Sequence, residues 1–232
     1  ERVMKLILLD CDGVLVDSEI LVNRKFVQLL SAKGVGIDED TGLKEFTGLS
    51  AQSVYKLLSQ KYQSQFDEEE INYIQREIQS ELSLNVKAIP GVQDFFNKLI
   101  NLKLPFCIVS SGTPECIRGS LKTAGLISYF VDEHIFSSKM VANGKPAPDL
   151  FLHAAKAFNC LPENCLVIED SHFGIQAANA AGMDSIAFFG GQHAQQDWYR
   201  DKVLEQNPTI ACETMIDVVN KLQYLLEKSY AL

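Results

Sequence analysis

The chain has 232 residues, a formal net charge of −9, 47% hydrophobic residues and 22% charged residues. That bounds it to one large domain, or one domain carrying a sizeable insertion, with enough apolar matter for a substantial core. The acidic balance and the lack of a dense Lys/Arg run exclude a general nucleic-acid binder, which draws its affinity from phosphate contacts. An anionic ligand would have to be met by positive charge placed locally, from a metal or a positioned lysine.

In chain order, the first apolar run is Lys5-Leu6-Ile7-Leu8-Leu9. Asp10 cuts it short, so it reads as a buried strand and not as a signal peptide. No stretch approaches the roughly 20 apolar residues of a membrane span, and no membrane partner is expected. Residues 17–86 contain no convincing strand. Val22, Phe26, Leu29 and Leu30 mark one helical face, Val54, Leu57 and Leu58 a second, and Ile71, Ile74, Ile78 and Leu82 a third. Asp67 and Glu70 have the spacing of a capping box before that third helix.

After residue 86 the pattern alternates. Pro90-Gly91 opens an amphipathic helix with Phe95, Phe96, Leu99 and Ile100 on its apolar face. Phe106-Cys107-Ile108-Val109 is a second strand. Thr113-Pro114 supplies an N-cap and a first-turn proline, and Gly125 ends that helix. Helices are predicted over 149–158 and 174–181, and strands at Leu166-Val167-Ile168 and Ser185-Ile186-Ala187-Phe188-Phe189. This predicts an α/β fold, a Rossmann-like parallel sheet core (1–16 and 87–232) with an inserted all-helical cap (17–86). The six cysteines form no Cys-x-x-Cys pair and no zinc spacing. They read as buried, reduced thiols, which suits a cytoplasmic location.

The residues that could carry chemistry fall at strand ends. In open parallel sheets, ligands bind beyond the carboxyl ends of the strands. Asp10 and Asp12 follow the first strand, with Gly13 permitting a tight turn. Ser110 and Ser111 follow the second, ahead of a helix N-terminus that favours anions. Glu169 and Asp170 follow the third. Two acidic pairs at one sheet edge repel each other unless a cation or a proton intervenes, and an all-oxygen set suits Mg²⁺. Lys145, in Gly144-Lys145-Pro146-Ala147-Pro148, is a lysine on a backbone stiffened by prolines. Each signal taken alone also fits a bland surface turn or cap. His172 reads as a surface residue at a helix start.

Together they resemble the haloacid dehalogenase-like hydrolase superfamily. Asp10-Cys11-Asp12-Gly13-Val14-Leu15-Val16-Asp17-Ser18-Glu19 is similar to its first motif, Ser110 to its second, Lys145 to its third, and Glu169-Asp170-Ser171 with Gly174, Ala177, Ala178, Ala181, Gly182 and Met183 to its fourth. The insertion resembles the helical cap of the beta-phosphoglucomutase-like branch. The stretch 17–24 is similar to a bacterial branch that includes 6-phosphogluconate phosphatases.

The resemblance implies a Mg²⁺-dependent phosphatase of small phosphorylated metabolites, either sugar phosphates or sugar-acid phosphates such as 6-phosphogluconate. Asp10 would be the nucleophile, forming an aspartyl-phosphate, and Asp12 the general acid and base. Ser110, Ser111 and Lys145 would bind phosphate. Asp10, Asp12 (through its carbonyl) and Asp170 would hold the metal, with Glu169 a further ligand or a support behind it. Residues 45–49 would form a substrate-selecting cap loop containing Thr47 and Gly48, and Arg24 and Lys44 would be further cap residues that meet a substrate carboxylate or hydroxyl. A monomer or weak dimer is expected.

Three alternatives remain at this point. A dehalogenase needs no acid at position 12. A phosphomutase needs a second phosphate clamp, and an arginine after the cap-loop glycine is absent from Gly48-Leu49-Ser50-Ala51-Gln52. A non-enzymatic phosphoacceptor domain has the acid pair and the acceptor aspartate in the reverse order.

Overall fold

The computed structural model describes residues 4–230. Its centre is a six-stranded parallel sheet in the order β3-β2-β1-β4-β5-β6. The strands are β1 (Leu6–Leu9), β2 (Phe106–Ser110), β3 (Ile135–Ser137), β4 (Cys165–Glu169), β5 (Asp184–Phe188) and β6 (Ile210–Cys212). β1 lies between β2 and β4, with Leu8 opposite Cys107 on one side and Val167 on the other.

A strand covered on both faces needs apolar residues at consecutive positions. All four residues of β1 are buried. Ile7 and Leu9 face a core with Phe95, Phe96 and Leu99 of α5 (Val92–Asn101), Ile117 and Leu121 of α6 (Pro114–Thr123), and Val218 and Leu222 of α10 (Met215–Tyr230). Leu6 and Leu8 face the opposite layer. There they meet Leu150 and Phe151 of α7 (Asp149–Ala157) and Ala177 and Ala178 of α8 (His172–Ala180). The remaining core helix, α9 (Asp197–Leu204), packs through Tyr199 and Val203 on Phe189.

The chain leaves β1 toward β2 and β3, then returns to place β4 on the other side of β1. The strand order therefore reverses between β1 and β4. The crevice beyond their carboxyl ends is where doubly wound sheets bind ligands. Asp10 and Glu169-Asp170 stand at those two ends.

Between β1 and α5 the chain forms α1 (Glu19–Ala32), α2 (Glu39–Phe46), α3 (Ala51–Tyr62) and α4 (Glu68–Asn85). These helices share their own core of Phe26, Leu30, Phe46, Val54, Leu58 and Ile74. The Asp67–Glu70 capping box is present at the start of α4. The two connections to the sheet run side by side: Asp17 N–H donates to Lys87 O (2.9 Å), and Ile89 N–H donates to Leu15 O (2.9 Å). This pairing gives the helical insert a short two-stranded neck.

Four details differ from the sequence expectation. β3 and β6, three residues each, carry no apolar pattern long enough to read. α2 holds Gly42 among acidic residues, and Asp38 caps it by accepting from Thr41 N–H. Ile100 is 54% exposed, because the buried stripe of α5 is Val92, Phe95, Phe96 and Leu99. His172 is buried and not a surface residue. All six cysteines are free thiols; Cys11, Cys107, Cys165 and Cys212 are buried, while Cys116 and Cys160 are half-buried. Among the described residues, no helix is long and apolar enough to cross a membrane.

Candidate active site

The turn after β1 is fixed by its backbone. Leu15 and Val16 N–H both donate to Cys11 O, and Gly13 N–H donates to Val16 O at 2.8 Å. Gly13 has φ +80°, and a Cβ there would fall 2.1 Å from Asp170 Oδ2. The turn thus needs glycine both for its left-handed backbone and for the closeness of the β4 carboxylate. It points Asp10 and Asp12 into one crevice. Ser18 Oγ donates to Asp12 Oδ1 at 2.6 Å, so one oxygen of Asp12 is held from the start of α1.

Lys145 is not a solvated loop lysine. It is buried, and its ammonium donates to Asp10 Oδ1 (3.1 Å), to Val109 O (3.0 Å) and to Glu169 Oε1. Burial works to lower the Lys145 pKa, but Asp10 and Glu169 together raise it above the usual lysine range, so it stays charged. Glu169 is fully engaged. Its Oε2 accepts from Asp170 N–H (3.2 Å), Ser171 N–H (3.2 Å) and Ser171 Oγ (3.1 Å), at the N-terminus of α8. Glu169 therefore fixes Lys145 from behind, and Lys145 faces Asp10.

Asp170 is buried and pairs with a residue that sequence reasoning passed over. His193 Nε2 lies 2.6 Å from Asp170 Oδ2. Burial pushes the imidazole down to about 4, so it is neutral at ordinary pH. His193 packs edge-on against Tyr199, with ring centroids 5.0 Å apart. The other oxygen, Asp170 Oδ1, is buried with no hydrogen-bond partner.

Charge does not balance here. Burial first, then Glu169, pushes Asp10 and Asp170 well above the usual carboxylate range, with Lys145 pulling both back. Asp12 is raised by burial against the opposing pull of Ser18 and Lys145. Ligand oxygens from Asp10, Glu169 and Asp170 lie within 4.8 Å of one another. Hard oxygen donors, surplus negative charge and an orphaned carboxylate oxygen together fit a divalent cation.

Above the two aspartates lies a cavity of about 250 Å³. Ser110, Ser111 and Gly112 form its floor beside Asp10 and Asp12, and the helical insert forms its roof. Ser110 Oγ accepts from Gly112 N–H at 3.0 Å. Ser111 Oγ donates to Gly48 O at 2.9 Å, which ties the floor to the roof. Gly48 has φ +84°, and a Cβ there would lie 2.3 Å from Ser171 Oγ, so the backbone of this roof loop rests directly on the core.

Thr47 and Gly48 line the cavity, while Arg24 and Lys44 do not. Arg24 is exposed and pairs with Glu39 at 3.4 Å. Lys44 sits over the Trp198 ring, 4.6 Å from its centroid, and its carbonyl accepts from Lys202 Nζ. Both long cations are thus spent at the edges of the insert, Lys44 by docking α2 onto α9. Sequence position on a cap helix could not tell a cavity face from a docking face.

A sheet edge with an aspartate nucleophile candidate, a buried lysine, a serine and a cation-fitting acid cluster defines a phosphoryl-transfer hydrolase. Comparison with known proteins agrees. Residues 7–188 match the haloacid dehalogenase-like hydrolase family. The chain is 30% identical over 185 residues to the 6-phosphogluconate phosphatase of Escherichia coli, covering 79% of this chain and 82% of that one. It is 34% identical over 183 residues to a probable pseudouridine-5′-phosphatase of Drosophila melanogaster, covering 76% and 78%. A haloacid dehalogenase-like protein of unknown function from Agrobacterium tumefaciens superposes with a TM-score of 0.78 at 31% identity, covering 95% of this chain and 98% of that one. The chain belongs to the haloacid dehalogenase-like hydrolase family and is a phosphoric monoester hydrolase.

Proposed function

We propose that the protein is a Mg²⁺-dependent phosphatase that hydrolyses monoesters of small sugar-like metabolites through an aspartyl-phosphate on Asp10. The observation that carries this reading is the Asp10–Lys145 pair, at 3.1 Å, set beside Asp12 on the floor of a roofed cavity. Relatives named as phosphatases of 6-phosphogluconate and of phosphorylated carbohydrates support the metabolite class.

In this reading a carboxylate oxygen of Asp10 attacks phosphorus in line, and the bond to the leaving alkoxide breaks. Asp12 gives its proton to that alkoxide. It then takes a proton from water, which attacks the aspartyl-phosphate, frees inorganic phosphate and restores Asp10. The raised position of Asp12 suits an acid that is protonated at the first step. Lys145 and Ser110 hold the charge on the transferring oxygens. Asp10, Asp170 and the Asp12 carbonyl would hold Mg²⁺, with Glu169 engaged by Lys145 instead. The ion offsets repulsion between the anionic nucleophile and its anionic target.

Hydrolysis is favoured over a phosphomutase reaction because a second phosphate finds no clamp. Among the described residues lining the cavity, Lys139 is the one cation. The test is phosphate release from a panel of phosphorylated metabolites with and without chelator. Turnover that needs added Mg²⁺ supports the reading; turnover indifferent to exhaustive chelation overturns it.

His193 gives a second expectation. It orients Asp170 by occupying Oδ2, which leaves Oδ1 for the ion. Removing such a supporting histidine commonly lowers metal affinity about 10- to 100-fold. His193→Ala should weaken Mg²⁺ binding, measured calorimetrically, to that extent, whereas His193→Gln, which keeps an N–H donor, should lose less. Equal affinity in all three proteins would show that His193 only fills space.

A further inference from the structure

The roof of the cavity is chemically lopsided. Phe26 (7% exposed) and Phe46 (8% exposed) face each other edge-on, with centroids 5.5 Å apart. Tyr55 stands edge-on to Phe26 at 6.3 Å. Val22, Leu49 and Ile78 extend this apolar wall. The polar groups added by the roof are mostly uncharged, chiefly the amides of Gln52 and Gln75. Asn23 is already used, since its Nδ2 donates to Glu39 O at 2.8 Å and so joins α1 to α2.

The charged groups lining the cavity are Asp10, Asp12, Glu19 and Lys139. Glu19 is the roof's own acidic group, and burial first, then Asp170, pushes its carboxyl well above the usual carboxylate range. Lys139 is exposed and belongs to the core side, beside Ser138, whose Oγ donates to Ser111 O. A carboxylate on the leaving group would therefore be carried toward Glu19 and an aromatic wall, with no cation from the insert to receive it. An unpaired charge in such surroundings is strongly disfavoured. An uncharged group with a flat apolar face meets the opposite conditions. Aromatic rings offer it contact area, and amides can read its polar edge.

We infer that the leaving group is an uncharged alcohol with a flat, partly apolar face, of which a nucleoside 5′-monophosphate is the natural class, and not a sugar acid. The inference rests on the phosphatase reading of the site and specifies the molecule delivered to it.

The test compares kcat/KM for four compounds in Mg²⁺: uridine 5′-phosphate, sorbitol 6-phosphate, 6-phosphogluconate and acetyl phosphate. Acetyl phosphate is too small to use the roof and reports the chemistry alone. Uridine 5′-phosphate should exceed 6-phosphogluconate by tenfold or more, with the sorbitol ester between them. Gln75→Arg, which places a cation on the half-buried face of α4, should raise 6-phosphogluconate turnover relative to uridine 5′-phosphate by tenfold. The inference is overturned if wild-type enzyme treats 6-phosphogluconate or the polyol ester as well as the nucleotide, or if Gln75→Arg leaves the ratio unmoved. No turnover of acetyl phosphate would instead overturn the phosphatase reading beneath it.

Discussion

Asp10→Asn is expected to lower kcat by about four orders of magnitude or more, the scale on which removal of a catalytic nucleophile acts. The substitution keeps volume and shape but replaces an anionic oxygen with an amide that cannot attack phosphorus. Its effect on stability should run the other way. Asp10 is buried, and burial and Glu169 both oppose its ionisation. The amide removes one of the crowded acids, and Lys145 keeps Glu169 as a partner. In the absence of Mg²⁺ the variant should melt no lower than wild type. Phosphate release and a thermal melt decide the matter together: turnover within tenfold of wild type would remove Asp10 from the nucleophile's place, and a collapsed fold would mean its charge is structural.

Much of this site was legible because its parts follow long apolar runs. β1, β2 and β4 are each four or five residues long, and every one of those residues but the half-buried Phe106 is buried. The polar residue directly after each run stands out against that background. Asp10, Ser110 and Glu169-Asp170 could therefore be assigned to one sheet edge before any geometry was known. His193 also comes from a strand's carboxyl end and was missed. It follows β5, the strand beside β4, but four further residues, Phe189, Gly190, Gly191 and Gln192, intervene. The distance in sequence hid a contact of 2.6 Å in space.

The helical insert was readable only as helices. Amphipathic spacing reports which residues are buried, not against what. Phe26 and Val54 on its core faces were visible, whereas the burial of Thr47 at the cavity wall was not. The same limit sent Arg24 and Lys44 to the substrate, although one pairs with Glu39 and the other docks on Trp198. Long cations make these choices through tertiary packing, which periodicity does not encode.

The largest structural effect should come from Lys145→Met. The methionine fills similar space but leaves Asp10 and Glu169 facing each other in a buried site with no counter-charge. Breaking a buried ion pair by removing one partner costs about 3–5 kcal/mol. For a protein of this size that lowers Tm by roughly 10 °C. Activity should fall by a factor of about 10²–10³ or more, the usual loss when a donor to transferring oxygens is removed. Stability and catalysis can be separated in a second variant, Lys145→Met with Glu169→Gln. The Gln carbonyl can still accept from Asp170 N–H, Ser171 N–H and Ser171 Oγ, the donors that now bind Glu169 Oε2. Its amide then faces the methionine and Val109 O, the acceptor that Lys145 vacates. The double variant should regain a large part of the lost Tm while its turnover stays low. Recovered turnover in the double variant would mean that Lys145 serves only to neutralise Glu169, and the phosphate-binding role would have to pass to Ser110 and the backbone of Ser111 and Gly112.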